Sequence, residues 1–377
     1  MASRPALKTV FGEPSWPLRT PDIGLCVSRT GGMIAPITWD RRGRRLSPMH
    51  VAPWAGDGSR VTPPLLRALR GDFFCLPFGG NSTPVRGKTL LPHGQTANGN
   101  WKHVSHSPTS ITLSTATDFP AGEVVKTVWV NPGEPCVYQR HVLSGFSGGL
   151  SFGHHAMLAF RPEYGVGRVS TSPTVRGQVF PGEFERPAAG GYTSLKPGAM
   201  FTSLAAVPRA DGAIADLSRY PAREGFEDLV MVSASQAEPL AWSAVTFPEG
   251  GFVWIGLKNP ATLASTVLWY SNGGRHYAPW SSRHRRVLGI EEVTGNFHYG
   301  LAESLAENPV SRDGVATHVK LSRRQSLSVG YIMACVPVPV GFDEVSEVHT
   351  AAGGVVLTSR AGPTVGLRTD LSALDSQ

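Results

Sequence analysis

An all-β fold, a large assembly of antiparallel strands with few short helices, is what the sequence predicts, and three observations carry that prediction. The 43 glycines and 31 prolines make up about a fifth of the 377 residues, too many breakers for a helix-rich chain. Strand-like apolar runs follow one another at short intervals, each closed by turn chemistry. Helical periodicity is nearly absent, and no alternation of strands with helices marks a βαβ fold.

The runs come in order as GGMIAPITWD, SITLSTATDF, EVVKTVWV, CVYQRHVLSG, GGLSFGHHAMLAF, LAWSAVTF, GGFVWIGL, STVLWYSN, QSLSVGYIMACVPV and GGVVLTSR. SITLSTATDF alternates apolar and polar residues, the pattern of a strand with one wet face. EVVKTVWV and CVYQRHVL flank NPGEP, a five-residue link that predicts an antiparallel hairpin. GLAESLAENP places Leu301, Ser304 and Leu305 on one helical face and stops at Asn308-Pro309, so a short helix is expected there. DLSRYPAREGF is expected to hold one further helical turn. Residues 169–197, rich in Gly, Pro, Ser and Thr, read as a long loop. LPHGQTANGNW, from Leu91 to Trp101, has neither period and reads as a loop too. No fixed-period repeat suggests propeller blades. Strands of one character flank every loop, so residues 1–377 are expected to form one domain.

Composition limits the function classes. Hydrophobic content of 41% with 17% charge suits a globular protein with a sizeable core. The net charge of +7 comes with arginines in short groups: Arg41, Arg42, Arg44 and Arg45; Arg283, Arg285 and Arg286; Arg323 and Arg324. Without a long basic block these read as surface residues, and no nucleic-acid partner is expected. An anionic sugar is the minor alternative. Cys26, Cys75, Cys136 and Cys335 never form CxxC, and neither a disulfide framework nor a zinc site is expected. The first residues lack an apolar signal region, and no run approaches a membrane span. A cytoplasmic protein without a membrane partner is the default expectation.

Three clusters hold the candidate chemistry. LPHGQTANGNW supplies His93, Gln95, Asn98, Asn100 and Trp101; GHHAMLAF supplies His154 and His155; VLGIEEVTGNFHYG supplies Glu291, Glu292, Asn296, His298 and Tyr299. A metal site is not expected, because adjacent histidines on a strand point to opposite faces and no HExxH-like spacing occurs. Acid–base chemistry fits better, since a carboxyl and an imidazole can exchange protons with a substrate near neutral pH. Amides, hydroxyls and tryptophans (Trp54, Trp101, Trp280) match what a sugar asks of its site. Each also has a structural reading: a loop-tying His, a core Trp, a solvent-facing Glu at a strand end.

The order of these motifs resembles that of the aldose 1-epimerase, or galactose mutarotase-like, superfamily. There a His-Gly loop written HGxxR is followed by a strand-start His and by a late Glu after an apolar strand. RGDFFCLPFGGN is similar to the segment ahead of that loop. The resemblance spans most of the chain and implies a large antiparallel β-supersandwich acting on the anomeric carbon of a sugar without metal or cofactor. It implies Glu291 as base on the anomeric hydroxyl, His155 as acid on the ring oxygen from the opposite side, and His93 as a substrate holder. Asn98, Trp101, His154, Glu292, Arg70, Asp72, Arg275, Trp280 and His298 complete the candidate sugar-binding set. Only one member of each doublet, HH and EE, can face a common cleft. Ala97 stands where the family carries Arg, which removes a planar multi-donor grip.

Fold alone does not settle the reaction, because similar supersandwiches occur in polysaccharide lyases and glycoside hydrolases. A hydrolase needs two pocket carboxyls, for which Asp72 and Glu291 are the available pair. A lyase would draw on Arg275, His276, Tyr277 and His298. A sugar-binding protein without catalysis is the third expectation, as a monomer or homodimer.

Overall fold

The computed structural model describes residues 6–41 and 43–376, and Arg42 of the first arginine group lies outside them. Every pairing between its strands is antiparallel. A five-stranded sheet runs in chain order from Lys8–Val10 to Arg44–Leu46. A nine-stranded sheet has Phe252–Lys258, Leu327–Pro337 and Cys136–Ser144 at its centre. An eight-stranded sheet carries, side by side, Phe226–Ala234, Ser265–Asn272, Val287–Thr294 and Phe152–His154, with Ala156–Ala159 also paired to Val287–Thr294. Three C-terminal strands, Val345–Ala351, Gly354–Ser359 and Thr364–Arg368, form a small sheet of their own.

Period-two alternation sorts the strand residues into layers. Leu268, Tyr270, Leu288 and Ile290 of the eight-stranded sheet share a core with Val245, Trp254, Tyr331 and Met333 of the nine-stranded sheet. The intervening residues Val267, Trp269, Val287 and Val293 point the other way and pack with Phe73, Trp54 and Trp280. On the far side of the nine-stranded sheet, Ile255, Leu257 and Ala334 are covered by Leu357 and Leu367 of the C-terminal sheet. The central strands are buried on both faces, which is why their sequences are almost continuously apolar.

The hairpin between Ala121–Trp129 and Cys136–Ser144 forms, with Val128 opposite Gln139. Ser110–Asp118 buries Ile111, Leu113, Thr115 and Thr117 on alternate positions. Leu301–Leu305 is helical. Asn308 then opens a second helix, Pro309–Arg312, with its side chain accepting from the Ser311 N–H while Ser311 reciprocates, a capping box the sequence reading took for a stop.

Three expectations fail. Residues 216–226 contain no helical turn; Arg219–Tyr220 instead pairs as an edge strand with Gly167–Thr171. The supposed loop 169–197 begins as two strands, Gly167–Thr171 and Thr174–Val179, and is irregular only beyond them. LPHGQTANGNW contains a one-turn helix, Gly94–Asn98. All four cysteines are free thiols. No described helix is long and apolar enough to cross a membrane.

Candidate functional site

The site lies on the face of the eight-stranded sheet that looks away from the nine-stranded one. Gly153 pairs with Val293 and Ala156 with Ile290, so the same register puts His155 opposite Glu291. Their side chains project to one face, and His155 Nε2 lies 3.3 Å from Glu291 Oε1. Glu292, one residue on, points into the inter-sheet core, where it is ion-paired with Lys258. His154 likewise points inward, its Nδ1 3.0 Å from Asp72 Oδ2. Both doublets are thus divided by the pleat, and a Cβ at Gly289 would crowd Glu291 Oε1 and Trp269, the residue opposite it on Ser265–Asn272, at 3.2 Å.

His93 reaches the same place by a different local device. It has a left-handed backbone, φ 56°, and Gly94 follows at φ 71°. A Cβ at position 94 would sit 1.9 Å from the Leu76 carbonyl oxygen, so only glycine fits. The turn swings the His93 ring to 5.1 Å from that of His155 and 5.2 Å from that of His298. His298 is brought in by a loop tied to the segment ahead of the His-Gly turn, with the Gly80 N–H donating to its carbonyl at 2.7 Å.

These groups line a cavity of about 220 Å³ together with Phe73, Trp269, Trp280, Phe184, Arg275, Tyr277 and the leucines Leu65, Leu66 and Leu69. Phe73 stacks on His155 at 4.7 Å, and Trp269 meets it edge-on at 6.0 Å. The cavity continues past Phe184, Arg275, Tyr277 and His298 into an outer cleft of about 700 Å³. Three buried polar atoms on the cavity residues, His93 Nδ1, His155 Nδ1 and Glu291 Oε2, have no hydrogen-bond partner in the protein. Such atoms are costly unless something binds them.

Burial sets the protonation of the site. It pushes Glu291 well above the usual carboxyl range, with Arg275 pulling back only in part. Burial draws His155 down to about 3, with His298 acting in the same direction. His298 falls to about 4 through burial and Arg275, and burial with its two neighbouring imidazoles takes His93 well below its ordinary range. Burial therefore favours the protonated carboxyl of Glu291 beside neutral imidazoles. The imidazole of His155 and the carboxyl of Glu291 stand side by side. The expectation of opposite sides of a ring fails, because a gap of 3.3 Å admits no ring.

Of the candidate residues, His93, His155, Glu291, Arg275, Tyr277, Trp280 and His298 converge on the cavity. Asn98, Trp101, Arg70 and Asp72 hold the scaffold instead, and His276 is exposed outside the cavity. Asn98 accepts from the Leu65 N–H and donates to the Pro92 and Gly94 carbonyls. Trp101 is buried and donates to the Thr96 carbonyl. Arg70 donates to the carbonyls of Val10, Phe11 and Ala68. Asp72 accepts from Gln139, His154 and the His155 backbone N–H, which anchors the residue beside Glu291. The polar richness of LPHGQTANGNW is therefore mostly structural. No group of three or more His, Cys, Asp or Glu among the described residues is arranged to hold a metal ion.

Sequence reasoning missed Trp269, Phe73, Phe184 and the leucines. Trp269 was within reach, since it lies two residues from Val267, the cross-strand partner of Glu291, and so shares its face. Phe184 and Glu185 come from an irregular loop whose path no periodicity announces.

No family model and no curated protein matches the chain by sequence. Solved structures match by fold. A candidate aldose 1-epimerase of Escherichia coli K12 superposes with TM-score 0.59 at 13% identity, covering 86% of this chain and 99% of that one. A galactose mutarotase related enzyme of Lactobacillus acidophilus gives 0.55 at 12%, covering 85% and 97%. A galactose mutarotase-like protein of Lactobacillus casei gives 0.55 at 10%, covering 85% and 100%. The class is thus that of antiparallel β-supersandwich proteins. Within it, the chain has the galactose mutarotase-like fold.

Proposed function

We propose that this protein is a carbohydrate isomerase of the aldose 1-epimerase type, with Glu291 and His155 as its acid–base pair. The single observation that carries the reading is His155 Nε2 at 3.3 Å from Glu291 Oε1 on the wall of an aromatic-lined cavity. Two adjacent groups address two adjacent atoms, and the anomeric hydroxyl and ring oxygen of a sugar are bonded to one carbon.

The proton count closes without solvent. Transfer of the resting proton from Glu291 to His155 gives a carboxylate beside an imidazolium. Glu291 then takes the proton of the anomeric hydroxyl while His155 protonates the ring oxygen, and the bond from C1 to that oxygen breaks. The open aldehyde is left beside the resting pair. Rotation about C1–C2 and the reverse steps close the other anomer. Neither metal nor cofactor enters, and general acid–base catalysis of this kind contributes about 10²–10⁴-fold. The aromatic walls supply flat surfaces for the C–H faces of the sugar. Asp72 is committed to three partners and does not line the cavity, which disfavours the two-carboxyl hydrolase.

Polarimetry of freshly dissolved α-glucose and α-galactose, with and without protein, tests the reading. Accelerated mutarotation that disappears in Glu291→Gln is expected. No acceleration across a panel of aldoses would overturn it.

A further inference from the structure

The chain is basic overall, yet the cavity is not. Arg275 is the one Lys or Arg among the residues lining it, and carboxyl groups surround that guanidinium. Glu185 accepts from its Nε at 2.5 Å and from the Tyr277 hydroxyl at 3.0 Å, which uses both oxygens. Glu227 accepts from the backbone N–H of Gly274, the preceding residue, at 3.1 Å. Glu291 lines the same cavity.

The guanidinium is also fixed in orientation. Its centre lies 4.5 Å from the Trp280 ring, 5.1 Å from Trp269 and 5.4 Å from Phe184. With Nε held by Glu185, the two terminal nitrogens make no hydrogen bond to the described residues, and Arg275 lines both the inner cavity and the outer cleft. A planar donor fork packed among three aromatic rings, its charge already balanced, is built for a pair of acceptor oxygens.

We infer that Arg275 is the specificity-determining residue of this site: its terminal nitrogens grip two neighbouring hydroxyls of an uncharged aldose, and Glu185, which already balances its charge, excludes uronates and sugar phosphates. This rests on the sugar-isomerase reading for the position of the ligand. A carboxylate or phosphate entering the cavity would join Glu185 at a single cation whose charge is already balanced, in a site too dry to screen the two anions. A neutral hydroxyl pair meets no such repulsion, and a fork left without partners by a deoxygenated ligand loses its contacts. Arg275 thereby supplies from another loop the guanidinium absent at Ala97.

Trp269 and Trp280 beneath the guanidinium make binding visible without turnover. Titrations of the full-length protein with glucose, galactose, glucuronate, galacturonate and glucose 6-phosphate, followed by tryptophan fluorescence at pH 7, should show neutral sugars binding at least tenfold more tightly than the charged ones. Arg275→Lys keeps the charge but not the fork and should raise the KM of mutarotation tenfold or more with kcat within a fewfold of the parent. Glu185→Gln should narrow the gap between glucose and glucuronate. Tighter binding of a uronate or phosphate, no response to any neutral sugar, or an unchanged KM in Arg275→Lys would each overturn the inference. Neutral-sugar selectivity without mutarotation would support it and sink the isomerase reading instead.

Discussion

His155, between two short strands that pair with Val287–Thr294, stands opposite Glu291 with Nε2 3.3 Å from Oε1, and the backbone N–H of His155 is anchored to Asp72 at 3.0 Å. His155 sits at the one-residue break between Phe152–His154 and Ala156–Ala159, and the pairing of both strands with Val287–Thr294 fixes its position. Glu291→Gln and His155→Gln should each lower kcat of mutarotation by about 10²–10⁴-fold. Because both handle one proton, the double variant should be little worse than either single one. Polarimetric kcat values for the three proteins check this, and multiplying losses would show that the two act independently.

Stability should rise with pH between about 4.5 and 6.5. Burial holds six imidazoles neutral in the native protein: His50 and His155 near 3, His298 near 4, and His93, His141 and His284 well below the ordinary range. Unfolding lets each take up a proton below its ordinary value of 6.5. Their contribution is fully present above that value and is lost as pH falls toward their native values. Two carboxyls act oppositely, since burial raises Glu227 to about 7 and Glu291 well above its ordinary 4.5. Their contribution is present below 4.5 and is lost as pH rises through the native values. Six against two leaves the unfolded chain binding more protons in this window, so ΔG of unfolding should increase by several kcal/mol, at about 1.4 kcal/mol per net proton per pH unit. Denaturant midpoints at pH 4.5, 5.5 and 6.5 measure the slope, and a flat or falling series would contradict it.

Gly94→Ala should destabilise the protein by more than about 2 kcal/mol, because the new methyl meets the Leu76 carbonyl oxygen at 1.9 Å in a backbone conformation that already disfavours a side chain. Gly87 has almost the same φ, 74°, but open space around it. Gly87→Ala therefore carries the conformational cost alone, about 1 kcal/mol. Comparing the two by urea unfolding separates close approach from φ, and equal losses would remove the steric argument for the His-Gly pair.

What the sequence made legible and what it hid follow from the range of the interactions. Alternation within one strand is local, so the wet face of Ser110–Asp118 and the division of Glu291 from Glu292 could be read directly. The hairpin across NPGEP was equally local. Contacts such as Arg275 with Glu185 join residues far apart in the chain through an irregular loop, and no period encodes them. The amides of LPHGQTANGNW misled for a related reason: a polar loop residue looks the same whether it waits for a ligand or, like Asn98, caps its own backbone. Global charge is silent on the site as well, because +7 says nothing about a cavity lined by a single Arg and a single Glu.

The paired glutamates allow a test in which stability and activity should part. Glu292 lies in the inter-sheet core, ion-paired with Lys258 and accepting from the Thr266 hydroxyl at 2.7 Å. Lys258 also donates to the Ser265 carbonyl and the Thr266 hydroxyl, both at 2.9 Å. Removing one partner strands the other charge away from water, so Lys258→Met should cost about 3–5 kcal/mol. Adding Glu292→Leu removes the stranded charge and should recover much of that loss, since apolar replacements of buried pairs are often neutral. Neither change touches the cavity face, so mutarotation per folded molecule should stay within a fewfold of the parent. Glu291→Gln should do the reverse, abolishing turnover while leaving the unfolding midpoint unchanged or raised, because it replaces a buried carboxyl with a neutral isostere. Urea unfolding and polarimetry on the same four proteins decide the matter. Loss of turnover in the double variant at full stability would place the working carboxyl on Glu292 and invert the assignment of the two faces.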